Sequence, residues 1–329
     1  MPDTAMMAGA EKTAQRWPDD YFKVSDGTRL HYVEAGEGWP VILIHGARGS
    51  AIGNWFSNGI APKLAETNKV YALDMRGHGL SEGNHQHMPF NHSVMPNDVL
   101  DFMNHMGIEK AHMAGYSMGS HVLTQLLTMA PERFLTVCFQ GGGVNETPEW
   151  RDRVPPDKEG RDPDQAKADE LVKQRRQQKG EEVGNNFSDG QRRQNAKAEE
   201  AKPEGAVNKW RQRMMERRAR RMGFEGPLPP PEMMNVFQKR EEQLAKFDLT
   251  SIAFPVMAIN GEYDRPLAKT HRLWRECRNF TNLILPGKGH LTAMMAGFIP
   301  DAYVEGYAAF VRRNNPPGAP PARHFSSDK

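Results

Sequence analysis

A serine stands between two glycines in Gly115–Gly119, where an apolar segment ends and a helical pattern begins. A serine hydroxyl becomes an effective nucleophile when a neighbouring imidazole takes its proton and a carboxylate orients that imidazole. Such a serine protrudes from a strained strand-to-helix turn, which is so tight that the residues two before and two after it must be small. The pattern therefore predicts that Ser117 is a nucleophile and that the flanking glycines allow the turn.

An acid and a base follow in the order that such a serine requires. Asp264 comes just after the apolar run Phe254–Asn260, and His290 comes after the short run Asn282–Leu285 and a glycine-containing turn. An acid just past a strand end lies on the loop edge where α/β sheets place catalytic groups. We therefore expect Ser117, Asp264 and His290 to form a catalytic triad.

Two backbone N–H groups are candidates for binding the oxyanion that forms when the serine attacks a carbonyl carbon. The apolar run Val41–Ile44 ends in the sequence His-Gly-Ala-Arg-Gly, and glycines at such a turn let N–H groups face the reacting carbonyl. A tetrahedral oxyanion needs two donors. The expected pair is the N–H of Ala47 and the N–H of Met118.

Other polar residues have competing interpretations. Glu146 follows the apolar run Leu135–Gln140 and is the alternative triad acid. The histidines His85, His87 and His92 lie close together in the sequence, but neither a cysteine nor a carboxylate stands at ligand spacing, so we expect a solvated loop. We expect neither a metal nor a cofactor.

The elements that must position these residues are short strands and the helices between them. Apolar runs predict strands at residues 41–44, 69–74, 111–116, 135–140, 254–260 and 282–285. The segment His121–Ala130 predicts a helix that ends at Pro131. Ser117 would then lie between a buried strand and this helix.

Five motifs together resemble the α/β-hydrolase superfamily in its esterase-like branch. They are HG after the first strand, DxRGHGxS at Asp74–Ser81, GYSMG around Ser117, GExD ending at Asp264, and GxGH ending at His290. The resemblance covers about residues 21–140 and 254–313. It implies an α/β-hydrolase fold, with a mostly parallel central sheet flanked by helices and a charged helical lid.

The resemblance also implies the chemistry, which is metal-free hydrolysis of a small-molecule carboxylic ester through an acyl-enzyme. A serine at the elbow differs from the aspartate that the haloalkane dehalogenases and epoxide hydrolases of this superfamily need, and the first loop lacks the HGGPG spelling of proline iminopeptidases. Thioesterase, lactonase, carbon–carbon bond hydrolase and perhydrolase activities use the same triad and stay open as alternatives. A hydrolase-fold protein that binds a ligand without turnover is a further alternative.

A long insertion, residues 141–253, separates the two parts of this expected core. Residues 151–223 have a net charge of +6 and few large apolar side chains. Two helices are expected there, at Asp164–Gln178 and Asn208–Met222, with a third at Met233–Phe247. These few apolar side chains bury too little surface to hold the whole insertion rigidly. We therefore expect a mobile lid that controls access to the active site. Its large apolar residues are the expected lining of an acyl pocket: Trp150, Phe187, Trp210 and Phe224.

One segment of the insertion and both ends of the chain indicate whether the protein binds a membrane or a nucleic acid and where it is located. Trp210–Met222 holds six arginines and one glutamate; we favour a solvated lid helix over contact with an anionic membrane surface, and expect no nucleic-acid partner. No apolar run approaches the roughly 20 residues of a membrane span, and the extension at residues 1–20 lacks the pattern of a secretion signal. We therefore expect a cytoplasmic protein, with a disordered tail at residues 314–329 and an oligomeric state that the sequence does not indicate.

Overall fold

The computed structural model of this 329-residue chain describes residues 17–83, 88–178 and 243–320. These residues form an eight-stranded sheet in the order β1-β2-β4-β3-β5-β6-β7-β8. The strands β1 and β2 are antiparallel to their neighbours, and every other pair is parallel. The strands are β1 (Asp19–Lys23), β2 (Arg29–Ala35), β3 (Trp39–Ile44), β4 (Asn68–Leu73), β5 (Ala111–Tyr116), β6 (Phe134–Gln140), β7 (Val256–Gly261) and β8 (Phe280–Leu285).

The six predicted strands are confirmed as β3 to β8, with small differences at their ends. The antiparallel pair β1 and β2 was not predicted. In β1 only Phe22 is buried, because this strand lies at the edge of the sheet and its other side chains face water. A strand with one buried residue has too little apolar alternation to be recognised from sequence.

Helices cover both faces of the sheet. They are α1 (Ile60–Leu64), α2 (Met88–His105), α3 (Met118–Met129), α4 (Gln165–Gln178), α5 (Pro266–Glu276) and α6 (Asp301–Arg313). The predicted helix after Ser117 is confirmed as α3, although it begins at Met118 instead of His121. The prediction of α4 is also confirmed. Among the described residues, no helix has both the length and the apolar character needed to cross a membrane.

Two hydrophobic cores lie on opposite faces of the sheet. Along β3, Val41 and Leu43 belong to one core, and Ile42 and Ile44 belong to the other. This alternation follows from the two-residue period of a strand, and strands that are apolar on both sides are typical of a covered parallel sheet. Each such side chain contributes about 1.5–3 kcal/mol when it is buried. The carboxyl ends of the parallel strands are thereby held in one rigid row.

The insertion leaves the sheet after β6 and returns to it at β7, which is the adjacent strand. The predicted helix Asn208–Met222 and most of Met233–Phe247 lie outside the described residues.

The first residues of the segment predicted as a disordered tail, residues 314–329, are hydrogen-bonded to the sheet. The Asn315 Oδ1 atom accepts from Asn68 Nδ2 and His112 Nε2 at 2.9 Å each. Trp39 Nε1 also donates to the carbonyl oxygen of Gly318.

Candidate active site

Ser117 lies at the turn between β5 and α3 with a strained backbone. Its φ is +51° and its ψ is −102°, a conformation that residues with a side chain rarely adopt. Its N–H donates to the carbonyl oxygen of Gln140 at 2.8 Å, which fixes the turn against the neighbouring strand β6. The serine side chain thus projects from the carboxyl edge of the sheet.

The glycines on either side of Ser117 are required by close backbone contacts. A Cβ atom on Gly115 would lie 2.3 Å from the carbonyl carbon of Gly119, and one on Gly119 would lie 2.1 Å from the carbonyl oxygen of Ile44. Both distances are far below any real contact of a Cβ atom. The two glycines therefore let α3 start directly against the ends of β5 and β3.

The structure brings Ser117, His290 and Asp264 together. His290 Nε2 lies 2.9 Å from Ser117 Oγ, and His290 Nδ1 lies 2.7 Å from Asp264 Oδ2. Because the carboxylate only accepts hydrogen bonds, Nδ1 carries the ring proton and Nε2 can accept from the serine hydroxyl. The His290 side chain is 45% exposed whereas that of Asp264 is 11% exposed. The imidazole is thus exposed to solvent, while the acid is shielded.

The loop that carries His290 is held by two residues that the sequence analysis missed. The Tyr116 ring stacks on the His290 ring, with centroids 5.2 Å apart, and its hydroxyl donates to the His290 carbonyl oxygen. Asp162, from the insertion, is buried and accepts from the Gly289 N–H at 2.9 Å and from the Thr292 hydroxyl. These contacts hold the loop that carries the imidazole.

Asp264 has a second partner, Lys269, in the first turns of α5. Lys269 Nζ lies 2.6 Å from Asp264 Oδ1 and donates to the Gly141 carbonyl oxygen at 3.2 Å. Burial lowers the pKa of the Lys269 ammonium below its ordinary value, although the nearby Asp264 carboxylate opposes this effect. The first turn of a helix lies beside the loop that precedes it, and this proximity was the sequence signal that could have identified Lys269.

The loop after β3 is fixed by hydrogen bonds around Ala47. The Gly46 N–H donates to Asn54 Oδ1 at 3.0 Å, and the Gly49 N–H donates to the Gly46 carbonyl oxygen at 3.0 Å. Met118 is the first residue of α3, where an N–H group has no acceptor within the helix. Because β3 and β5 are neighbouring parallel strands, this loop and the start of α3 lie side by side at one edge of the sheet.

The buried Asp74 has a structural role in the same region. Its carboxylate accepts from the Ala51 N–H at 2.6 Å, the Leu80 N–H at 3.0 Å and His31 Nδ1 at 2.8 Å. Burial alone would raise the pKa of Asp74, but the hydrogen bonds from His31, Ala51 and Leu80 hold it below its usual value. Asp74 thus ties the segment after the Ala47 loop to the end of β4.

Glu146, the alternative acid, lies in a different cluster. It accepts from His271 Nδ1 at 2.8 Å and from Arg275 at 2.5 Å, and also from the Thr147 N–H. Burial raises the pKa of Glu146, but hydrogen bonds from Arg275 and His271 outweigh this and keep it low. The structure places Asp264, and not Glu146, against His290.

The residues expected to line an acyl pocket are only partly described. The guanidinium groups of Arg275 and Arg153 lie 4.2 and 4.9 Å from the centroid of the Trp150 ring. Trp150 therefore contacts two cations, which is a poor setting for an apolar pocket wall. Three further candidates for this lining lie outside the described residues: Phe187, Trp210 and Phe224. His85 and His87 also lie outside the described residues. The expectation of a loop is wrong for His92, because residues 88–105 form the helix α2.

Curated relatives match only part of this chain. It is 38% identical over 133 residues to the dihydrolipoyllysine-residue acetyltransferase component of the acetoin cleaving system of Cupriavidus necator, which covers 40% of this chain and 33% of that protein. It is 37% identical over 98 residues to a soluble epoxide hydrolase of Corynebacterium sp., covering 30% and 32% of the two chains. The chain thus spans about a third of the length of these relatives.

Solved structures match over nearly the whole chain. The meta-cleavage product hydrolase from Pseudomonas fluorescens aligns with a TM-score of 0.57 at 20% identity, covering 90% of this chain and 98% of that one. A thermophilic esterase from Thermogutta terrifontis aligns with a TM-score of 0.53 at 18% identity, covering 91% and 100%. At these identities the likeness concerns the fold.

A family model described as the alpha/beta hydrolase fold matches residues 40–294. That range runs from β3 to just beyond His290, so it contains the elbow serine, the acid loop and the histidine loop. With more than half of its length matched and its sheet and loops arranged as described, this chain belongs to the alpha/beta hydrolase fold family.

Proposed function

We propose that this protein is a serine hydrolase that cleaves a carboxylic ester through an acyl-enzyme. The observation that carries the proposal is the hydrogen-bonded chain from Ser117 Oγ through His290 to Asp264, with distances of 2.9 and 2.7 Å. These are the distances at which a base can take the proton of a nucleophile and an acid can orient that base.

The reaction proceeds in two steps. Ser117 Oγ attacks the ester carbonyl carbon while His290 Nε2 takes its proton, and the imidazolium then protonates the departing alcohol. Water then enters and attacks the acyl carbon while His290 Nε2 takes its proton. The bond from that carbon to Ser117 Oγ breaks, the imidazolium returns the proton to Oγ, and the acyl group leaves as a carboxylic acid. In both steps the Ala47 and Met118 N–H groups stabilise the oxyanion, and each such donor is worth roughly 10²–10³-fold in rate.

Substrate choice is assigned to the insertion, residues 141–253. Its first residues follow the carboxyl end of β6, where the Ser117 N–H donates to the Gln140 carbonyl oxygen, and Asp162 contacts the loop that carries His290. The proposed substrate is a small-molecule acyl ester, and Phe187, Trp210 and Phe224 are proposed to line its acyl group. The basic segment Trp210–Met222 is proposed to be a solvated part of the lid.

Other acyl chemistry on the same triad gives a different pattern of substrates. An acyl-enzyme can pass its acyl group to water or to an alcohol, and several relatives are named for acetyl transfer, such as an ethanol acetyltransferase of Kluyveromyces marxianus that is 30% identical over 117 residues. A relative from Pseudomonas sp., 29% identical over 119 residues, is named a 2-hydroxymuconate semialdehyde hydrolase. Thioesterase, lactonase, perhydrolase and carbon–carbon bond hydrolase activities are therefore included as outcomes of the test.

The test combines covalent labelling with a substrate panel. A fluorophosphonate should label the wild-type protein and the Ser25→Ala control, in which an exposed turn serine is removed, but not Ser117→Ala. p-Nitrophenyl esters from acetate to palmitate should show a burst of one equivalent and exceed thioester, lactone and carbon–carbon substrates in kcat/KM. Labelling that persists in Ser117→Ala would refute the nucleophile, and a wild-type protein without labelling or turnover would favour a ligand-binding role.

A further inference from the structure

The triad carboxylate is shared between the imidazole and a lysine. Asp264 Oδ2 lies 2.7 Å from His290 Nδ1, and Asp264 Oδ1 lies 2.6 Å from Lys269 Nζ. The Lys269 side chain is 23% exposed, and its Nζ also donates to the Gly141 carbonyl oxygen at 3.2 Å. One carboxylate therefore bridges two groups that each carry, or acquire, a positive charge.

This bridge fixes the direction of the acid. A carboxylate in a loop can rotate about its side-chain bonds, and a single partner on Oδ2 would leave Oδ1 free to compete for the imidazole. Because Lys269 holds Oδ1 and is itself held by Gly141, the plane of the Asp264 carboxylate is set from the side opposite His290. Gly141 follows β6 and has a φ of +59°, so the contact joins α5 to a second strand end.

The same contact changes the electrostatics of the base. A carboxylate favours the imidazolium that forms when His290 takes a proton, and a neighbouring ammonium offsets part of that effect. The groups that face this bridge are Ser117 and Tyr116 from the elbow, Arg265 from the loop after β7, and Asp157 from the insertion. The loop that carries His290 also contains Lys288, which pairs with Asp164, and Gly289, whose N–H donates to Asp162.

We propose that Lys269 is a positioning residue of the triad, which turns Asp264 toward His290 and offsets part of the charge that the carboxylate presents to the imidazole. The proposal rests on the proposed function, because it assigns His290 as the base. Burial lowers the pKa of the Lys269 ammonium, and the Asp264 carboxylate opposes this effect, so the contact with Asp264 is what favours the charged lysine.

The experiment is the pH dependence of kcat/KM for a short p-nitrophenyl ester in three variants of Lys269. Lys269→Met removes the charge and keeps the stem, Lys269→Gln removes the charge and keeps a donor, and Lys269→Arg keeps the charge. The acid limb should move to higher pH by about half to one unit in the first two, since the lost charge lies one carboxylate from the ring and is partly screened by water. In Lys269→Arg the limb should stay within about 0.2 unit of the wild-type position.

Lys69→Met is the matched control. Lys69 lies on β4, is 12% exposed and pairs with Glu34 of β2 at 3.1 Å, so its removal deletes a cation that is more buried than Lys269 and far from the triad. An acid limb that stays in place in both Lys269→Met and Lys269→Gln, or that moves as far in Lys69→Met, would overturn the proposal.

A second readout separates this proposal from the proposed function. Ring resonances of ¹⁵N-labelled histidine, followed against pH, report the protonation of His290 whether or not the protein hydrolyses an ester. If fluorophosphonate does not label wild-type Ser117, the proposed function fails, and the ¹⁵N titrations of Lys269→Met and Lys269→Gln still decide the role of Lys269. A His290 titration that is unchanged in both variants would refute it.

Discussion

Replacing Asp264 by asparagine should inactivate the base by reversing its tautomer. Lys269 Nζ, a donor, faces one oxygen of Asp264, and His290 Nδ1 faces the other. In Asp264→Asn the ammonium will select the amide oxygen, and the NH₂ group will then face Nδ1. Because NH₂ only donates, the ring proton must move to Nε2, where it points at Ser117 Oγ and blocks proton transfer.

The magnitude follows from the loss of a correctly oriented base. A comparable change in a serine triad lowers kcat by about 10⁴-fold, which corresponds to about 5 kcal/mol in activation free energy. The geometry adds a specific expectation for the double variant Asp264→Asn/Lys269→Met. Without the ammonium the amide can turn its oxygen toward Nδ1, so part of the lost rate, about 10-fold or more, should return.

The assay is kcat on a short p-nitrophenyl ester, together with the rate of fluorophosphonate labelling. Glu146→Gln is the control, since Glu146 binds His271 and Arg275 and lies away from the triad. It should lower the free energy of unfolding but leave kcat close to the wild-type value. The reasoning is refuted if Asp264→Asn keeps more than about a tenth of the wild-type kcat, or if Glu146→Gln loses as much as Asp264→Asn.

Three further variants test buried contacts described above: two near the proposed active site, and one at His112 in β5. Asp162→Ala removes the buried acceptor of the Thr292 hydroxyl and one of the two acceptors of the Gly289 N–H, so we expect a loss of about 1–3 kcal/mol in unfolding free energy, measured in urea, and a lower kcat. Gly119→Ala would place its Cβ atom against the Ile44 carbonyl oxygen, and a thermal midpoint equal to that of the wild type would contradict the strained elbow. Burial lowers the pKa of His112 from 6.5 to about 4. The unfolded chain therefore binds more protons within that window, and stability should fall by about 2 kcal/mol from pH 7 to pH 5. His112→Gln should lack this loss in urea titrations at both pH values.

Local sequence patterns were enough to predict the parallel strands, but they did not predict the contacts between residues far apart in the sequence. The strand β5 and the glycines around Ser117 were predictable, because burial and a tight turn restrict which residues can stand there. Asp264 and His290 were predictable from the order of acid and base after successive strands. Asp162 was not, because it lies 127 residues from Gly289 in sequence, within a segment where acidic residues are common.

The proposed pocket lining shows a second limit of sequence reasoning. Trp150 was selected as a large apolar residue at the edge of the insertion, yet its ring contacts Arg275 and Arg153. An aromatic face attracts a guanidinium as well as an acyl chain. Composition alone does not tell which of the two an aromatic side chain meets, because that depends on the helix packed against it.

The first part of the insertion forms hydrogen bonds and an ion pair with the segments that carry Asp264 and His290. Asp157 accepts from the Leu267 N–H at 2.7 Å, Lys158 pairs with Glu262 at 2.6 Å, and Asp162 accepts from the Gly289 N–H. An engineer who replaced residues 141–253 by a short linker would therefore remove these contacts together with the proposed lid. An exchange of the proposed lid in this chain should preserve residues up to 178 and join the new segment only beyond them. In this chain the residues that can be exchanged begin inside the insertion. A replacement that starts directly after β6 would also remove residues that support the proposed active site.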